Sequence, residues 1–332
     1  MKRHLQTPFA RRPLVAALGF FAIVGAGVPL TSHAQAPFPT KTVTIVSGTP
    51  AGGPIDSTAR LIGLHLSQMW GQTVLVENRP GASATIAAAY VAKAPGDGHT
   101  LLLTSRGIAM APELYKKLPY DTAKDLVPIA PVSVQPTLLM VRPGFPAKTL
   151  AEFVSVIKSN PGKFNYASTG NGSLPHVAGA VFQRLVGSKI VHVPYKGGSP
   201  LLVDLSAGRV DFTFASPGVG GGQSGKLNPI GNAAKARSPD YPDIPTFAEV
   251  GVPDFQFDTW YGLFSSKDTP LPVAQFINES VRKVLDKPEV QKALRDLGAS
   301  PGNMSRDDFA ASFTVDLKRY GDMIRDSDVQ PE

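Results

Sequence analysis

The stretch Pro50-Ala51-Gly52-Gly53-Pro54-Ile55-Asp56 decides how the fold of this chain is interpreted. It follows the apolar run Val43-Thr44-Ile45-Val46, which is typical of a strand, and it opens a segment with apolar residues at helical spacing. Pro54 suits the first position of a helix. The N–H groups at such a helix N-terminus lack intrahelical partners, and together with the helix dipole they favour an anion. The sequence therefore predicts a strand–turn–helix unit whose turn binds an anion.

A second turn, Ser168-Thr169-Gly170-Asn171-Gly172-Ser173, repeats this pattern. It follows the strand-like run 164–167 and precedes a helix-like segment over 177–186, so it also exposes backbone N–H groups at a helix N-terminus. Two such turns, more than a hundred residues apart, predict two α/β lobes that face one acidic solute.

The side chains close to these turns each have two interpretations. Asp56 either neutralises the helix dipole and accepts nearby N–H groups, or it contacts a donor group of the ligand. His176 either donates to a carboxylate or caps and packs at the start of its helix. In the first turn the backbone N–H groups of residues 51–53 are better candidates than Asp56, because glycine admits a close approach of the ligand.

Polar residues also end two further predicted strands. Thr104 and Ser105 follow the run 99–103, and Ser216 follows the run 210–214. Ligands of open α/β sheets bind beyond the carboxyl ends of the strands, so these side chains are expected to line a cleft. The predicted ligand-binding residues are Ala51, Gly52, Gly53, Asp56, Thr104, Ser105, Ser168, Thr169, Gly170, Asn171, Gly172, Ser173, His176 and Ser216.

Strand-like and helix-like segments alternate along the chain, which predicts an α/β fold of two lobes. Each lobe is expected to be a mostly parallel sheet flanked by helices, with the ligand cleft between the lobes. The chain crosses into the second lobe near residue 137 and returns through a proline-rich stretch. Lobe 1 is therefore predicted to comprise residues 37–137 and 251–332, and lobe 2 residues 138–250.

The first 36 residues have the features of an export signal. An uncharged apolar run, 14–30, precedes the small residues of 31–36, which allow cleavage after Ala34 or Ala36. The alternative is an uncleaved membrane anchor, but the apolar run is short for a span. Pro13 directly follows the arginine pair, which favours Sec export over twin-arginine export. The positive flank consists of Lys2, Arg3, Arg11 and Arg12.

Composition excludes several classes of function. Four of the 33 basic residues and none of the 26 acidic ones lie in the predicted signal, so the mature chain has a basic excess of three and no basic run typical of a nucleic-acid-binding protein. There is no cysteine, and the six histidines lack metal-ligand spacing, so neither a metal nor another cofactor is expected. His192 lies inside a predicted strand and the pair Trp260-Tyr261 inside an apolar run, and all three are interpreted as structural.

Two motifs that would indicate an enzyme are incomplete. The stretch 220–226 has the glycine and lysine spacing of a phosphate-binding loop, but Leu227 replaces its Ser or Thr and Pro229 disfavours the helix that should follow. The stretch Gly298-Ala299-Ser300-Pro301-Gly302 has the Gly-x-Ser-x-Gly spacing of a nucleophile elbow, but Pro301, directly after the serine, has no backbone N–H for an oxyanion hole. The chain is therefore not expected to be an enzyme.

Several motifs along the chain become recognisable when they are taken together in their order and spacing. They are Pro50-Ala51-Gly52-Gly53 with Asp56, Val76-Glu77-Asn78-Arg79-Pro80-Gly81, Leu118-Pro119-Tyr120-Asp121, Asn165-Tyr166-Ala167-Ser168 with Gly170, Gly172, Ser173 and His176, Val193-Pro194-Tyr195-Lys196-Gly197, and Asp243-Ile244-Pro245-Thr246 with Glu249 and Gly251. In this order and spacing the chain resembles the Bug-type extracytoplasmic solute receptors of tripartite tricarboxylate transport systems, from about residue 39 to the C-terminus.

This resemblance implies a two-lobed, type II periplasmic-binding-protein fold that closes on a small organic carboxylate. It implies that backbone N–H groups of the two turns and ordered waters hold the carboxylate. The expected partners are that carboxylate and the subunits of a membrane transporter, and the expected receptor is a periplasmic monomer. The alternative is a solute sensor that signals to a partner protein without transport.

Two departures from the family pattern bear on the ligand. Ser47-Gly48-Thr49 replaces a more usual apolar-Pro-aromatic sequence before the first turn. Ala215-Ser216 stands where the family often has Asp-Asn, which removes a partner for an ammonium or hydroxyl group. The sequence therefore predicts a carboxylate ligand without an amino group.

Overall fold

The computed structural model describes residues 38–217, 227, 229–327, 329 and 331. The predicted signal and the glycine-rich stretch 220–226 lie outside these residues. Contacts within the chain separate residues 1–37 from the unit Phe38–Glu332, to which all the elements below belong.

Strands and helices alternate along this unit. The strands are β1 (Val43–Ser47), β2 (Val74–Asn78), β3 (Thr100–Ser105), β4 (Leu126–Pro136), β5 (Leu138–Val141), β6 (Asn165–Ser168), β7 (Val191–Pro194), β8 (Phe212–Ala215), β9 (Pro229–Asn232), β10 (Asp258–Ser266) and β11 (Ser300–Pro301). The helices are α1 (Pro54–Trp70), α2 (Thr85–Ala92), α3 (Ala111–Leu114), α4 (Leu150–Ser159), α5 (Leu174–Val186), α6 (Gly198–Ser206), α7 (Leu271–Leu285), α8 (Pro288–Asp296) and α9 (Arg306–Arg325).

The strands form two sheets, one for each lobe. The first has the order β11-β4-β10-β3-β1-β2 and the second the order β7-β6-β8-β5-β9. Helices α1, α7 and α8 pack their apolar residues on one face of the first sheet, whereas α2 and α9 contribute to the core on its other face. The predicted two-lobed α/β fold is thus confirmed.

The expectation of mostly parallel sheets is wrong in detail, since both sheets are mixed. Strands β1, β2 and β3 are parallel, as are β6, β7 and β8, but β10 runs antiparallel to β3 and β4, and β5 antiparallel to β8 and β9. The reason is the direct passage from β4 into β5, with only Thr137 between them. A strand that continues straight into another sheet needs no helical crossover, so nothing forces it to run parallel to its neighbours.

Local sequence explains how the two helices that matter most begin. Pro54 occupies the first turn of α1, with Gly53 as the N-cap, and Ser173 is the N-cap of α5, where Pro175 lies in the first turn. Neither N-cap makes a side-chain capping hydrogen bond. Helix α4 differs from both, because its N-cap Thr149 forms a complete capping box with Glu152. The first-turn N–H groups of α1 and α5 therefore lack side-chain caps.

Backbone hydrogen bonds join the segments that pass between the two sheets. The Ala233 N–H donates to the Thr137 carbonyl (2.8 Å), and the Phe257 N–H donates to the Ala233 carbonyl (2.6 Å). These bonds bring the passage after β4, the end of β9 and the approach to β10 side by side. This arrangement is that of a hinge made of adjacent extended segments.

The core of the second lobe is dominated by phenylalanine rings. Phe182 on α5 lies within 5.4–5.6 Å, centroid to centroid, of Phe153, Phe214 and Phe255, and its side chain is fully buried. Phe255 in turn contacts Phe257, next to the hinge (5.2 Å). Of the helices formed by the described residues, none has the length and apolar character needed to cross a membrane.

Candidate functional site

The two predicted turns lie at the facing edges of the sheets, beyond the carboxyl ends of β1 and β6. A Cβ placed on Gly172 of the second turn would lie 3.3 Å from Leu114 Cδ1 and 3.8 Å from Ser83 Oγ, both in lobe 1. A Cβ on Gly48, just before the first turn, would lie only 2.3 Å from the Cβ of Ala84. Both turns therefore adjoin the loop that contains Ser83 and Ala84.

Asp56 is the centre of the first turn. Its carboxylate is 2% exposed and accepts the Gly52 N–H (2.9 Å), the Asn78 amide N–H (2.9 Å) and the Arg60 guanidinium (3.0 Å). Burial raises the pKa of Asp56, but hydrogen bonds from Arg60, Gly52 and Asn78 outweigh burial and hold the pKa below its usual range. The geometry matches the interpretation in which Asp56 accepts nearby N–H groups.

The backbone N–H groups of the first turn are not equivalent. The Gly52 N–H donates to Asp56, and the Gly53 N–H donates weakly to the Pro50 carbonyl (3.4 Å). Among the residues that the structure describes, no acceptor is found for the Ala51 N–H. Of the three predicted donors, Ala51 therefore has the N–H group most accessible to a ligand.

The second turn also contains both bonded and unbonded amides. The Gly170 N–H donates to Ser168 Oγ (3.2 Å), the Gly172 N–H donates to His176 Nδ1 (3.1 Å), and the Ser173 N–H donates to the Gly170 carbonyl (3.2 Å). Within the described part of the chain, the N–H groups of Thr169 and Asn171 have no protein acceptor. These two N–H groups therefore remain for a ligand.

The two turns share one device. In each, the glycine two residues before the helix donates its N–H to the side chain at the third helical position: Gly52 to Asp56 and Gly172 to His176. The acceptor is a carboxylate in lobe 1 and an imidazole in lobe 2. The sequence predicts the turns but not that Asp56 and His176 accept equivalent N–H groups, because a carboxylate and an imidazole are chemically dissimilar.

His176 and His192 form a stacked pair beneath the second turn. Their ring centroids are 4.0 Å apart with an interplanar angle of 13°, and Tyr166 stacks on the other face of His192 at 4.9 Å. His192 Nε2 lies 2.7 Å from Ser168 Oγ. Burial, and then the repulsion that would arise if both stacked rings were protonated, lower the pKa of His192 to about 4.

The lowered pKa of His192 makes stability depend on pH. An unfolded histidine binds its proton near pH 6.5, whereas folded His192 does so only near pH 4, so the unfolded state binds more protons between these values. The free energy of unfolding should therefore fall on acidification from pH 6.5 towards 4. His192→Phe keeps a stacked ring without this proton, and urea unfolding at pH 7, 6 and 5 should show a smaller loss for the variant. Equal losses in the two proteins would contradict the assignment.

The loop before α2 has an unusual backbone. Ala82, Ser83 and Ala84 have φ angles of 44°, 50° and 73°, a left-handed run that non-glycine residues rarely adopt. It is held by the Ala84 N–H donating to the Gly81 carbonyl (3.0 Å) and by the Thr85 hydroxyl donating to the Ala82 carbonyl (2.8 Å). Such backbone strain concentrates at ligand sites. Sequence reasoning missed Ser83, since small residues carry no clear signal for this conformation.

Hydroxyl groups from both lobes approach one another between the two sheets. Tyr261 lies directly opposite Ser105 in the β10–β3 ladder, and its phenol faces the Ser216 side chain across the lobes. Burial raises the pKa of Tyr261 to about 12, with a small opposing effect from Ser216. Thr104 points to the opposite face of the sheet from Ser105 and is 1% exposed, so of these two predicted residues only Ser105 lies beside Tyr261.

Tyr261 is a second residue that sequence reasoning missed. Trp260 and Tyr261 are both buried, as predicted. They contact different parts of the protein, because successive side chains of a strand point to opposite faces of the sheet. Trp260 donates its indole N–H to Asp316 (3.0 Å) in the core, whereas Tyr261 reaches Ser216. The alternation of side chains between the two faces of β10 was the signal in the sequence that could have separated Tyr261 from Trp260.

Two basic side chains near the site, Arg60 and Arg106, are already paired. Arg60 binds Asp56, and Arg106, which follows Ser105, is 8% exposed and bound by Asp258 and Asp316. The described residues contain no group of three or more His, Asp or Glu that could hold a metal ion. The arrangement can therefore bind an anion through backbone N–H groups, hydroxyl groups and helix dipoles.

Comparison with known proteins gives consistent matches. The family model for the tripartite tricarboxylate transporter family receptor matches residues 58–329. Protein BugT of Bordetella pertussis is 30% identical over 319 residues, which are 95% of this chain and 97% of BugT. These matches confirm the resemblance seen in the sequence.

Solved structures agree. The structure of R. palustris Rpa4515 with adipate has a TM-score of 0.80 and 32% identity, and the match covers 89% of this chain and 100% of that one. MatC (Rpa3494) from Rhodopseudomonas palustris with bound malate has a TM-score of 0.75 and 35% identity, with coverage of 86% and 100%. The predicted periplasmic-binding-protein fold is confirmed by these neighbours.

Proposed function

Because the chain belongs to the tripartite tricarboxylate transporter receptor family, we propose that it is a periplasmic receptor that captures a small organic carboxylate between its lobes. It delivers this acid to the membrane subunits of a tripartite tricarboxylate-type transporter. The observation that carries the proposal is the pair of turns at facing helix N-termini, each with a backbone N–H group that has no acceptor among the described residues. The bound adipate and malate of the two structural neighbours support the ligand class.

The proposed contacts follow from the N–H groups that have no acceptor among the described residues. The N–H groups of Ala51, Thr169 and Asn171 bind carboxylate oxygens, and the hydroxyls of Ser83 and Ser105 complete the shell. Water bridges between these groups and the ligand cost little affinity, which lets one scaffold accept different acids. The other predicted residues shape the turns or the cleft base: Gly52, Gly53, Asp56, Ser168, Gly170, Gly172, Ser173, His176 and Ser216.

Capture proceeds by closure of the lobes and involves no covalent chemistry. With lobe 1 as residues 37–137 and 251–332 and lobe 2 as 138–250, movement is concentrated where Thr137, Ala233 and Phe257 exchange hydrogen bonds. A ligand that contacts both turns binds the closed form better than the open one and shifts the equilibrium towards it. Micromolar affinity corresponds to about 8 kcal/mol, which includes the cost of closure.

The ligand is proposed to carry no amino group. Asp56, the buried carboxylate of the first turn, already accepts N–H groups from Gly52, Arg60 and Asn78. Ala215-Ser216 stands where the family often has Asp-Asn, so the acidic side chain is absent, and Ser216 faces Tyr261. An ammonium group entering this site would lose its hydration without gaining a carboxylate partner.

Calorimetry with matched acids tests this proposal. Adipate against 2-aminoadipate, and succinate against aspartate, differ in each pair by one amino group. Because an unpaired buried polar group costs about 1–3 kcal/mol, the amino compound should bind about 5- to 150-fold more weakly. Tighter binding of the amino compound in either pair would contradict the proposed specificity. No heat with any acid, including a wider carboxylate screen, would contradict the receptor function itself.

Transport is tested separately from binding. A strain that lacks this receptor should lose growth on the acid that calorimetry identifies and recover it when the wild-type chain is restored. Incubation of the purified protein with the same acid should yield no product. Undiminished growth of the deletion strain would favour the sensor alternative.

A further inference from the structure

Three rings are stacked directly beneath the second turn. Tyr166 of β6, His192 of β7 and His176 of α5 lie at successive centroid distances of 4.9 and 4.0 Å. The Tyr166 hydroxyl donates to the His176 carbonyl (3.2 Å), so the first ring also holds the backbone of the last. The column joins two strands to the first turn of α5.

We propose that His176 and His192 are positioning residues of the second turn: His176 holds the Gly172 peptide so that the N–H groups of Thr169 and Asn171 remain for the ligand, and His192 holds the His176 ring. The effect of this positioning role on ligand affinity rests on the proposed carboxylate binding. The effect of the two histidines on the conformation of the turn is testable without a ligand.

The tautomer of His176 follows from its bond to Gly172. Its Nδ1 accepts the Gly172 N–H at 3.1 Å, so this nitrogen carries no proton and the neutral ring carries its proton on Nε2. A proton on Nδ1 would place two N–H donors against each other and release the Gly172 peptide. The ionisable groups stacked on this face are His192 and, behind it, Tyr166.

Ser168 connects the column to the rest of the turn. Its hydroxyl oxygen lies 2.7 Å from His192 Nε2 and accepts the Gly170 N–H at 3.2 Å. The Gly170 N–H is therefore directed to a side chain that contacts His192, and the Gly172 N–H to His176 itself. Loss of either ring removes a support on which the peptide orientation depends.

Lobe 1 contains the internal comparison. There Asp56 accepts the equivalent Gly52 N–H, and Arg60 balances its charge. At the second turn the acceptor is a neutral imidazole, which adds no negative charge to the N-terminus of α5. A carboxylate ligand is therefore repelled less at the second turn than at the first, and we expect the second turn to make the stronger contacts with it.

Substitutions of His176 separate the acceptor from the charge. His176→Asn keeps an acceptor where Nδ1 lies, His176→Leu removes it, and His176→Asp reproduces the lobe 1 arrangement with an added negative charge. With adipate and malate as probes, the Asn variant should bind within about threefold of wild type, and the Leu variant about three- to tenfold more weakly, the range of one hydrogen bond. The Asp variant should bind more weakly than the Asn variant, because it keeps the turn but repels the anion.

Nuclear magnetic resonance of the ligand-free protein provides the independent measurement. Ring nitrogen spectra should show the Nε2–H tautomer for His176. The Gly172 amide should be slow to exchange in wild type and in the Asn and Asp variants, and fast in the Leu variant and in His192→Ala. An Nδ1–H tautomer, or a Gly172 amide unaffected by the Leu variant, would overturn the proposal.

These measurements distinguish the positioning role of the two histidines from the binding of a carboxylate. If neither acid binds wild type while the spectra behave as described, the positioning role stands and the choice of ligand fails. If the acids bind equally well to wild type and the Leu variant, the positioning role is overturned and the receptor function stands.

Discussion

Replacing Asp56 by alanine is expected to abolish carboxylate binding and to lower the stability of lobe 1. The buried carboxylate accepts N–H groups from Gly52, Asn78 and Arg60, and truncation leaves the first two without an acceptor. Arg60 is half exposed and turns to water, so its loss adds little. Two unsatisfied polar groups correspond to about 2–6 kcal/mol. Urea unfolding measures this loss, and calorimetry measures the loss of binding.

Asp56→Asn is the matched control. It retains the size of the side chain and one acceptor oxygen, so it should recover part of the stability and part of the affinity. A result in which the alanine variant binds as tightly as wild type would show that the first turn needs no support from Asp56. A result in which both variants lose binding equally would assign the effect to the charge.

Replacing Phe182 by alanine should cause a large loss of stability. The ring is fully buried and contacts Phe153, Phe214 and Phe255, so alanine leaves a large cavity in the aromatic core of lobe 2. Such substitutions cost about 3–5 kcal/mol, a large part of the stability of an ordinary domain. Because α5 begins at the second turn, weaker ligand binding should accompany this loss.

Val315→Ala is the surface control for this experiment. Val315 lies on α9 and is 64% exposed, so its truncation should change the free energy of unfolding by at most about 0.5 kcal/mol. Urea unfolding of both variants is the measurement. A loss below about 1 kcal/mol for Phe182→Ala would mean that the cluster relaxes to fill the space.

The elements that the sequence predicted well are those whose signals are local. The first strand, the glycine turn and α1 were predicted because apolar spacing and Pro54 act within a few residues. The second turn and α5 follow the same logic. The mixed sheets were not predicted, since the direction of β4 and β10 depends on partners far away in the chain.

The candidate site shows the same division at the level of single groups. Sequence alone placed Asp56 and His176 at helix starts but could not choose between contact with the ligand and support of the turn. That choice depends on Asn78 and His192, which come from neighbouring strands. Tyr261 was missed because its partner Ser216 belongs to the other lobe.

The sequence by itself determined the family, the two lobes and the position of both glycine-containing turns, because these follow from short-range spacing and motif order. Only the tertiary structure decided which N–H groups of the turns lack an acceptor among the described residues, which side chains hold the turns, and which hydroxyls of the two lobes approach one another. The physical reason is that a hydrogen bond depends on distance and direction between groups that folding brings together, and neither quantity is encoded in the residues of one segment.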